Sequence, residues 1–132
     1  MIIGIGTDII EVARIAKSIA QFGDRFLKRN FSNAEIENAN KLKNSTQYYA
    51  KRFAAKEAFA KAIGTGIGSN AAFKEISTLN NKLGAPYIKL EGQAKMYIDN
   101  ISKHNNNKKI KIHISLSDEK LYAQAFLILE IE

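Results

Sequence analysis

The chain has 132 residues, of which 45% are apolar, and this is enough for one domain, residues 1–132, with one buried core. It contains no cysteine, which excludes disulfide bonds, thiolate nucleophiles and cysteine-based zinc sites. Twenty Lys and Arg residues against 13 Asp and Glu residues give a formal net charge of +7, which favours an anionic partner.

The N-terminal segment carries no basic leader, and no apolar run reaches the ~20 residues that a membrane span requires. We therefore expect a protein without a membrane span that works in the cytoplasm, and the lack of cysteine fits that reducing compartment. Aromatic residues interleaved with Arg or Lys on one strand face, the usual companion of nucleic-acid binding, are not evident. We expect no nucleic-acid partner.

The first half of the chain is predicted to form a strand followed by helices. Residues 2–12 are rich in β-branched residues and glycine, as in a buried strand. Apolar residues then recur at helical spacing over 11–22, and a short helix follows over 24–29. Ser32 and Glu35 have the spacing of a capping box, which predicts the start of a third helix.

Residues 46–63 give the strongest helix prediction, because many alanines accompany an apolar stripe. Glu57 and Lys61 lie four residues apart on one face, a spacing that by itself is typical of a solvated helix. The run Gly64-Thr65-Gly66-Ile67-Gly68 follows and also suits a helix C-cap. It is not a Walker loop, because its glycines follow a helix and no Gly-Lys-Ser/Thr closes it.

The second half of the chain is predicted to be mainly β-structure with one helix. The predicted elements are strands over 73–79 and 86–90, a helix over 92–101, and a hairpin of antiparallel strands over 110–117 and 121–130. The resulting fold class is α+β, with one long helix packed against a mostly antiparallel sheet.

Asp8 is a lone carboxylate in an apolar strand, which is costly to bury unless it meets a cation or several hydrogen-bond donors. The residues alone leave a structural role and metal binding equally open. Together with Glu57 it would form an oxygen site suited to Mg²⁺. His104 lies in a polar loop, where histidines are generally inert. His113 shares a strand face with Ser115 and Ser117, but the sequence supports neither an orienting carboxylate nor a nucleophile turn, so we expect neither histidine to act in a hydrolase.

Three separated blocks form a pattern that extends from the first strand to the last hairpin. They are GIGTDIIEVARI at residues 4–15, RFAAKEAFAKAIGTGIG at 52–68, and HISLSD at 113–118 with Tyr122-Ala123 shortly after. In order and spacing they resemble the holo-[acyl-carrier-protein] synthase family, the small bacterial branch of the phosphopantetheinyl transferases. The resemblance covers effectively the whole chain.

This resemblance implies a function for residues that are ambiguous by themselves. Asp8 and Glu57 would bind Mg²⁺ together with the pyrophosphate of coenzyme A, and Lys61 would lie beside the phosphates. Glu57 is also the candidate base for the attacking serine. The implied contacts to coenzyme A are Lys61, Gly64, Thr65, Gly66 and Ser115.

The implied reaction transfers the 4′-phosphopantetheine arm of coenzyme A to a serine of an apo-acyl carrier protein, in support of fatty acid synthesis. The family is typically a homotrimer with sites at subunit interfaces. Carrier proteins are acidic, which accounts for the positive net charge of the chain. The expected docking residues lie on the first two helices and are Arg14, Lys17, Arg25 and Lys28, with Arg29 beside them.

One position departs from the family pattern. The third block commonly ends in Ser-x-Ser/Thr-His, and here the last residue is Asp118. An aspartate repels phosphate, so we expect Asp118 to point away from the phosphates or to bind a basic neighbour. A relative that has lost activity and a basic nucleic-acid-binding module without catalysis are the alternatives to the transferase.

Overall fold

Five helices and five strands, with one short 3-10 turn, follow one another along the computed structural model, which describes all 132 residues. In order they are β1 (Ile2–Glu11), α1 (Val12–Phe22), α2 (Asp24–Asn30), α3 (Asn33–Asn40), α4 (Thr46–Ile63), the 3-10 turn (Phe73–Glu75), β2 (Ile76–Asn80), β3 (Pro86–Leu90), α5 (Gly92–His104), β4 (Ile110–Asp118) and β5 (Tyr122–Ile131). None of the helices is both long and apolar enough to cross a membrane.

The strands form two antiparallel sheets, which confirms the α+β prediction. The larger sheet has the order β1-β5-β4, and β2 pairs with β3 in a separate hairpin. In the larger sheet Asp8 lies opposite Ala125, which in turn lies opposite Leu116. Inward-facing and outward-facing residues alternate along β4 and β5, so only one face of this sheet is buried.

Two segments differ from the predicted elements. Residues 73–79 are not one strand, because the Glu75 carboxylate accepts hydrogen bonds from the backbone N–H groups of Ala72 at 2.9 Å and Gln93 at 2.7 Å. These bonds hold a turn before β2 begins. Helix α5 continues to His104, three residues beyond the prediction, and Asn105 Nδ2 donates to the Ile101 carbonyl at 2.8 Å near its end. The capping box is present as predicted, with Ser32 at the N-cap of α3.

Helix α4 is central and is buried on several sides, whereas the sequence predicted one apolar stripe. Alanines such as Ala54, Ala58 and Ala62 are among its buried residues, and the helix packs on β1 and β5 as well as on α1 and β2. Arg52 and Lys56 of this helix are also buried. Small side chains allow several elements to approach the same helix closely.

The approach of β1 to α4 is so close that two glycines are required. A Cβ atom at Gly6 would overlap the carbonyl oxygen of Ala58, and one at Gly4 would overlap that of Ala62. Both glycines face the helix, because alternate residues of a strand share a face. Asp8, the next residue on that face, is therefore held at the surface of α4.

We predict that Gly6→Ala destabilises the fold by about 1–3 kcal/mol, because the strand must move away from the helix. Urea denaturation measures the effect. Gly68→Ala is the matched control, since a Cβ there meets nothing within 4 Å. We expect the control to change stability by less than about 0.5 kcal/mol. Equal losses in the two variants would contradict the close-packing argument.

Candidate active site

Asp8 and Lys61 meet between β1 and α4. Lys61 Nζ lies 3.3 Å from Asp8 Oδ1 and donates a hydrogen bond to the Thr7 carbonyl at 2.9 Å. The Asp8 side chain is only 19% exposed, whereas that of Lys61 is 55% exposed. The ammonium is thus held on the strand while it remains accessible to a ligand.

Glu57 lies one turn before Lys61 on α4 and is half-buried. No protein group forms a hydrogen bond with its carboxylate. Burial raises the pKa of Glu57, the negative charge of Asp8 raises it further, and Lys61 opposes both effects. In this structure Lys61 forms its ion pair with Asp8, so the Glu57/Lys61 spacing is not an ordinary helix-supporting pair.

Two carboxylates that repel each other, one of them without a hydrogen-bond partner, form a suitable site for a hard cation. Asp8 and Glu57 are the residues that would hold it. No group of three or more His, Cys, Asp or Glu side chains is close enough to bind a metal ion alone. Water or phosphate oxygens would have to complete the shell, which is the usual arrangement for Mg²⁺.

The glycine segment, residues 64–68, begins directly after α4 and three residues after Lys61. Gly64 has φ 80° and Gly66 has φ 70°, a left-handed conformation that favours glycine. The Gly64 N–H donates to the Lys61 carbonyl at 3.1 Å, so Gly64 is also the C-cap of the helix. A Cβ at either glycine would meet nothing within 4 Å, which leaves open backbone beside the charged group.

Ser115 does not join this group within one chain. It lies on the outward face of β4 opposite Phe126, whereas Asp8 lies on the inward face of β1. Ser115 instead borders a cleft of about 240 Å³ that is also lined by Lys51 and Arg52. The structure therefore separates Ser115 from Asp8, Glu57 and Lys61.

Asp118 binds a basic neighbour, as expected from its charge. Its Oδ1 atom lies 3.3 Å from Lys51 Nζ, and both side chains are about a quarter exposed. The carboxylate is therefore compensated and does not stand alone beside a phosphate site.

The expected docking residues lie exposed on α1 and α2, next to a groove that the sequence did not predict. This aromatic groove has a volume of about 650 Å³, and the residues that define it are Phe22, Arg25, Phe26, Arg29, Ile67 and Phe73. Arg14 and Lys17 line a second groove of about 340 Å³, which also contacts Phe26. Lys28 is exposed but lines neither groove.

Comparison with known proteins finds a family that matches most of the chain. The family described as the 4′-phosphopantetheinyl transferase superfamily matches residues 4–122. The chain belongs to that superfamily. The resemblance carried by the three sequence blocks is thereby confirmed.

Named relatives within the superfamily are similar over their full length. The holo-[acyl-carrier-protein] synthase of Ehrlichia chaffeensis is 45% identical over 135 residues, covering 100% of this chain and 99% of the relative. The synthase of Vibrio cholerae is 42% identical over 130 residues, with 98% of each chain covered.

Solved synthases of the superfamily also share the fold. The structure from Neisseria meningitidis has a TM-score of 0.86 and 35% identity, covering 98% of this chain and 99% of that one. The Helicobacter pylori synthase, solved in complex with coenzyme A, has a TM-score of 0.78 and 32% identity, covering 96% of this chain and 99% of that one.

Sequence reasoning missed the cations next to Ser115 as well as the aromatic groove. Arg52 stacks over the Tyr48 ring at 3.8 Å, and its Nη2 atom donates to Asn80 Oδ1 at 2.6 Å. Lys51 forms an ion pair with Asp118. No local signal marks the contacts to Asn80 and Asp118, because both residues are distant in sequence from α4.

We predict that Asp8→Asn lowers the pKa of Glu57 toward the ordinary value, because the substitution removes a neighbouring negative charge. Burial should keep the pKa somewhat raised. A carbon-detected NMR titration of the Glu57 carboxyl measures the change in the metal-free protein. Asp99→Asn is the control, since Asp99 pairs with Lys95 on α5. An unchanged Glu57 titration in Asp8→Asn would contradict the coupling of the two carboxylates.

Proposed function

We propose that this chain is a holo-[acyl-carrier-protein] synthase, which transfers the 4′-phosphopantetheine group of coenzyme A to a serine of an apo-acyl carrier protein. The observation that carries the proposal is the convergence of Asp8, Glu57 and Lys61 next to an open glycine segment. The full-length similarity to synthases supports it. A synthase of Bacillus anthracis, 36% identical, was solved with coenzyme A (3′,5′-ADP).

The reaction is a displacement at the β-phosphorus of coenzyme A. The serine oxygen forms a bond to this phosphorus, and the bond from the phosphorus to the bridging oxygen breaks. Adenosine 3′,5′-bisphosphate leaves with the electron pair. We assign Lys61 to stabilise the negative charge on the leaving phosphate, and its accessible ammonium beside Asp8 supports this role.

Glu57 is the group that we assign to accept the serine proton. In the metal-free protein, burial and the charge of Asp8 raise the pKa of Glu57, which favours a carboxylate that accepts a proton. No protein donor competes for its oxygens. Asp8 keeps Lys61 in place and contributes the second negative charge of the site.

A magnesium ion fits the donor set of Asp8 and Glu57, which offers two carboxylates and leaves the other positions to phosphate and water. When bound, it would supply positive charge to the pyrophosphate oxygens. Coenzyme A would then extend along the glycine segment, where the backbone of Gly64, Thr65 and Gly66 is open.

The outward face of the larger sheet supports assembly of a homotrimer. Ile5 is 55% exposed, Ile9 is 62% exposed and Phe126 is 43% exposed on this face. An apolar patch of this kind favours burial against another subunit. Ser115 lies on the same face as these residues, so association would carry it toward the site of a neighbouring subunit. Such an assembly would account for the separation of Ser115 from Asp8 within a single chain.

The carrier protein would dock on α1, α2 and the aromatic groove. Arg14, Lys17 and Arg25 are exposed cations that complement an acidic partner. Phe22, which is 52% exposed, supplies apolar contact area between them. The holo-carrier protein would serve fatty acid synthesis, and the cytoplasmic location remains a prediction from the sequence.

We predict that Glu57→Gln and Asp8→Asn each lower turnover about a hundredfold or more, because each removes an anionic ligand for the cation that would act on the phosphates, and Glu57→Gln also removes the proposed base. Mass spectrometry of apo-carrier protein incubated with coenzyme A and Mg²⁺ detects the gain of one phosphopantetheine arm. Asp99→Asn should retain full activity. No mass gain with the unaltered chain would refute the transferase, and a gel shift with nucleic acid in that case would favour a basic binding module.

Arg14→Glu should raise the KM for carrier protein about tenfold and leave the KM for coenzyme A within about twofold, because the contact is electrostatic and exposed. The effect should shrink as salt is added. Lys103→Glu on α5 provides a control with the same change in charge. If the substitution raised only the KM for coenzyme A, the docking surface would be wrongly placed.

A further inference from the structure

The interior of the molecule contains a charged pair that the transfer chemistry does not use. Lys56 and Glu35 are both fully buried, and Lys56 Nζ lies 2.7 Å from Glu35 Oε1. Lys56 adjoins Glu57 in sequence. Consecutive residues of a helix are rotated by about 100° around the axis. The side chain of Lys56 therefore points away from that of Glu57 and into the interior.

All three N–H donors of the Lys56 ammonium have acceptors in different segments of the chain. Besides Glu35, it donates to the Phe73 carbonyl at 2.9 Å and to the Ile76 carbonyl. A lysine ammonium has three donors, so its hydrogen-bonding capacity is complete. Lys56 thereby fixes the 3-10 turn and the start of β2 to α4.

The Glu35 carboxylate is equally well satisfied. Its Oε1 atom accepts from the Ser32 N–H at 3.0 Å, and its Oε2 atom accepts from the Thr78 N–H at 3.1 Å. Glu35 therefore joins the beginning of α3, directly after α2, to β2. A buried pair of this type gives no clear gain in stability over apolar side chains, whereas its directional bonds do specify the positions of the groups it contacts.

One anchored segment, the 3-10 turn, forms a wall of the aromatic groove, and the pair reaches the other wall through Phe31. Phe73, whose carbonyl binds Lys56, stacks on Phe53 with ring centroids 5.0 Å apart. On the other side Lys56 Nζ lies 5.3 Å from the centroid of the Phe31 ring, which packs edge-on against Phe26. Phe26 belongs to the opposite wall of the groove.

We infer that the Glu35–Lys56 pair positions the two walls of the aromatic groove and so sets the affinity for the carrier protein. This inference rests on the proposed function, since it assigns the groove to that partner. The pair lies beneath the groove and reaches one wall through the Phe73 carbonyl and the other through Phe31. Loss of the pair should change the groove more than the region around Asp8 and Lys61.

The test compares Lys56→Met with the double variant Glu35→Gln/Lys56→Met. The single variant leaves a buried carboxylate without its cation, so it should melt well below the unaltered protein. The double variant removes both charges and should recover much of that stability. We expect the double variant to raise the KM for carrier protein about tenfold, since small misplacements of binding groups are costly, and to keep the KM for coenzyme A within about twofold.

Leu129→Ala is the matched control, because it weakens the core on β5 without touching either wall of the groove. A general loosening of the fold would raise the KM for carrier protein in this control as well, and that result would overturn the inference. An unchanged KM for carrier protein in the folded double variant would also overturn it. So would failure of both Lys56 variants to fold, since the pair would then serve folding alone. Activity of the unaltered chain tests the proposed function separately.

Discussion

A strand and a helix meet through their backbones where Gly6 of β1 lies against Ala58 of α4. Side chains normally keep the backbones of a strand and a helix apart, and glycine, which has no Cβ, removes that separation. The consequence reaches the end of the strand, because Asp8 faces the same helix and comes within reach of Lys61. The charged group of the site thus depends on two positions, Gly4 and Gly6, that take no part in its chemistry.

Much of the fold could be predicted from local patterns. The bounds of α4, Thr46–Ile63, agree with the prediction because propensity and end signals coincide there. The alternation of inward-facing and outward-facing residues along β4 and the capping box of α3 also depend on residues that are close in sequence. The Phe73–Glu75 turn could not be predicted, because the carboxylate that fixes it binds the N–H of Gln93, 18 residues away.

The candidate site was also predictable only in part, because some of its features are local in sequence and others depend on contacts between distant residues. Asp8 is conspicuous as a carboxylate in an apolar strand, and the family pattern linked it to Glu57 and Lys61. The sequence did not indicate that Lys61 would pair with Asp8 instead of Glu57. That pairing depends on how β1 packs against α4, which the sequence does not specify locally. Lys56 was also overlooked, because a lysine in a helix gives no sign that a glutamate 21 residues earlier will neutralise it.

The single ammonium of Lys61 has a thermodynamic consequence. In the free protein it is engaged by Asp8 and the Thr7 carbonyl, so a phosphate must compete with them for it. A cation that binds Asp8 would release Lys61 toward the phosphate. By linkage, each of the two ligands would then strengthen the binding of the other by the same factor. If Asp8 binds a cation and Lys61 binds a phosphate of coenzyme A, heterotropic cooperativity between the two ligands would follow from a pair of side chains that lie 3.3 Å apart.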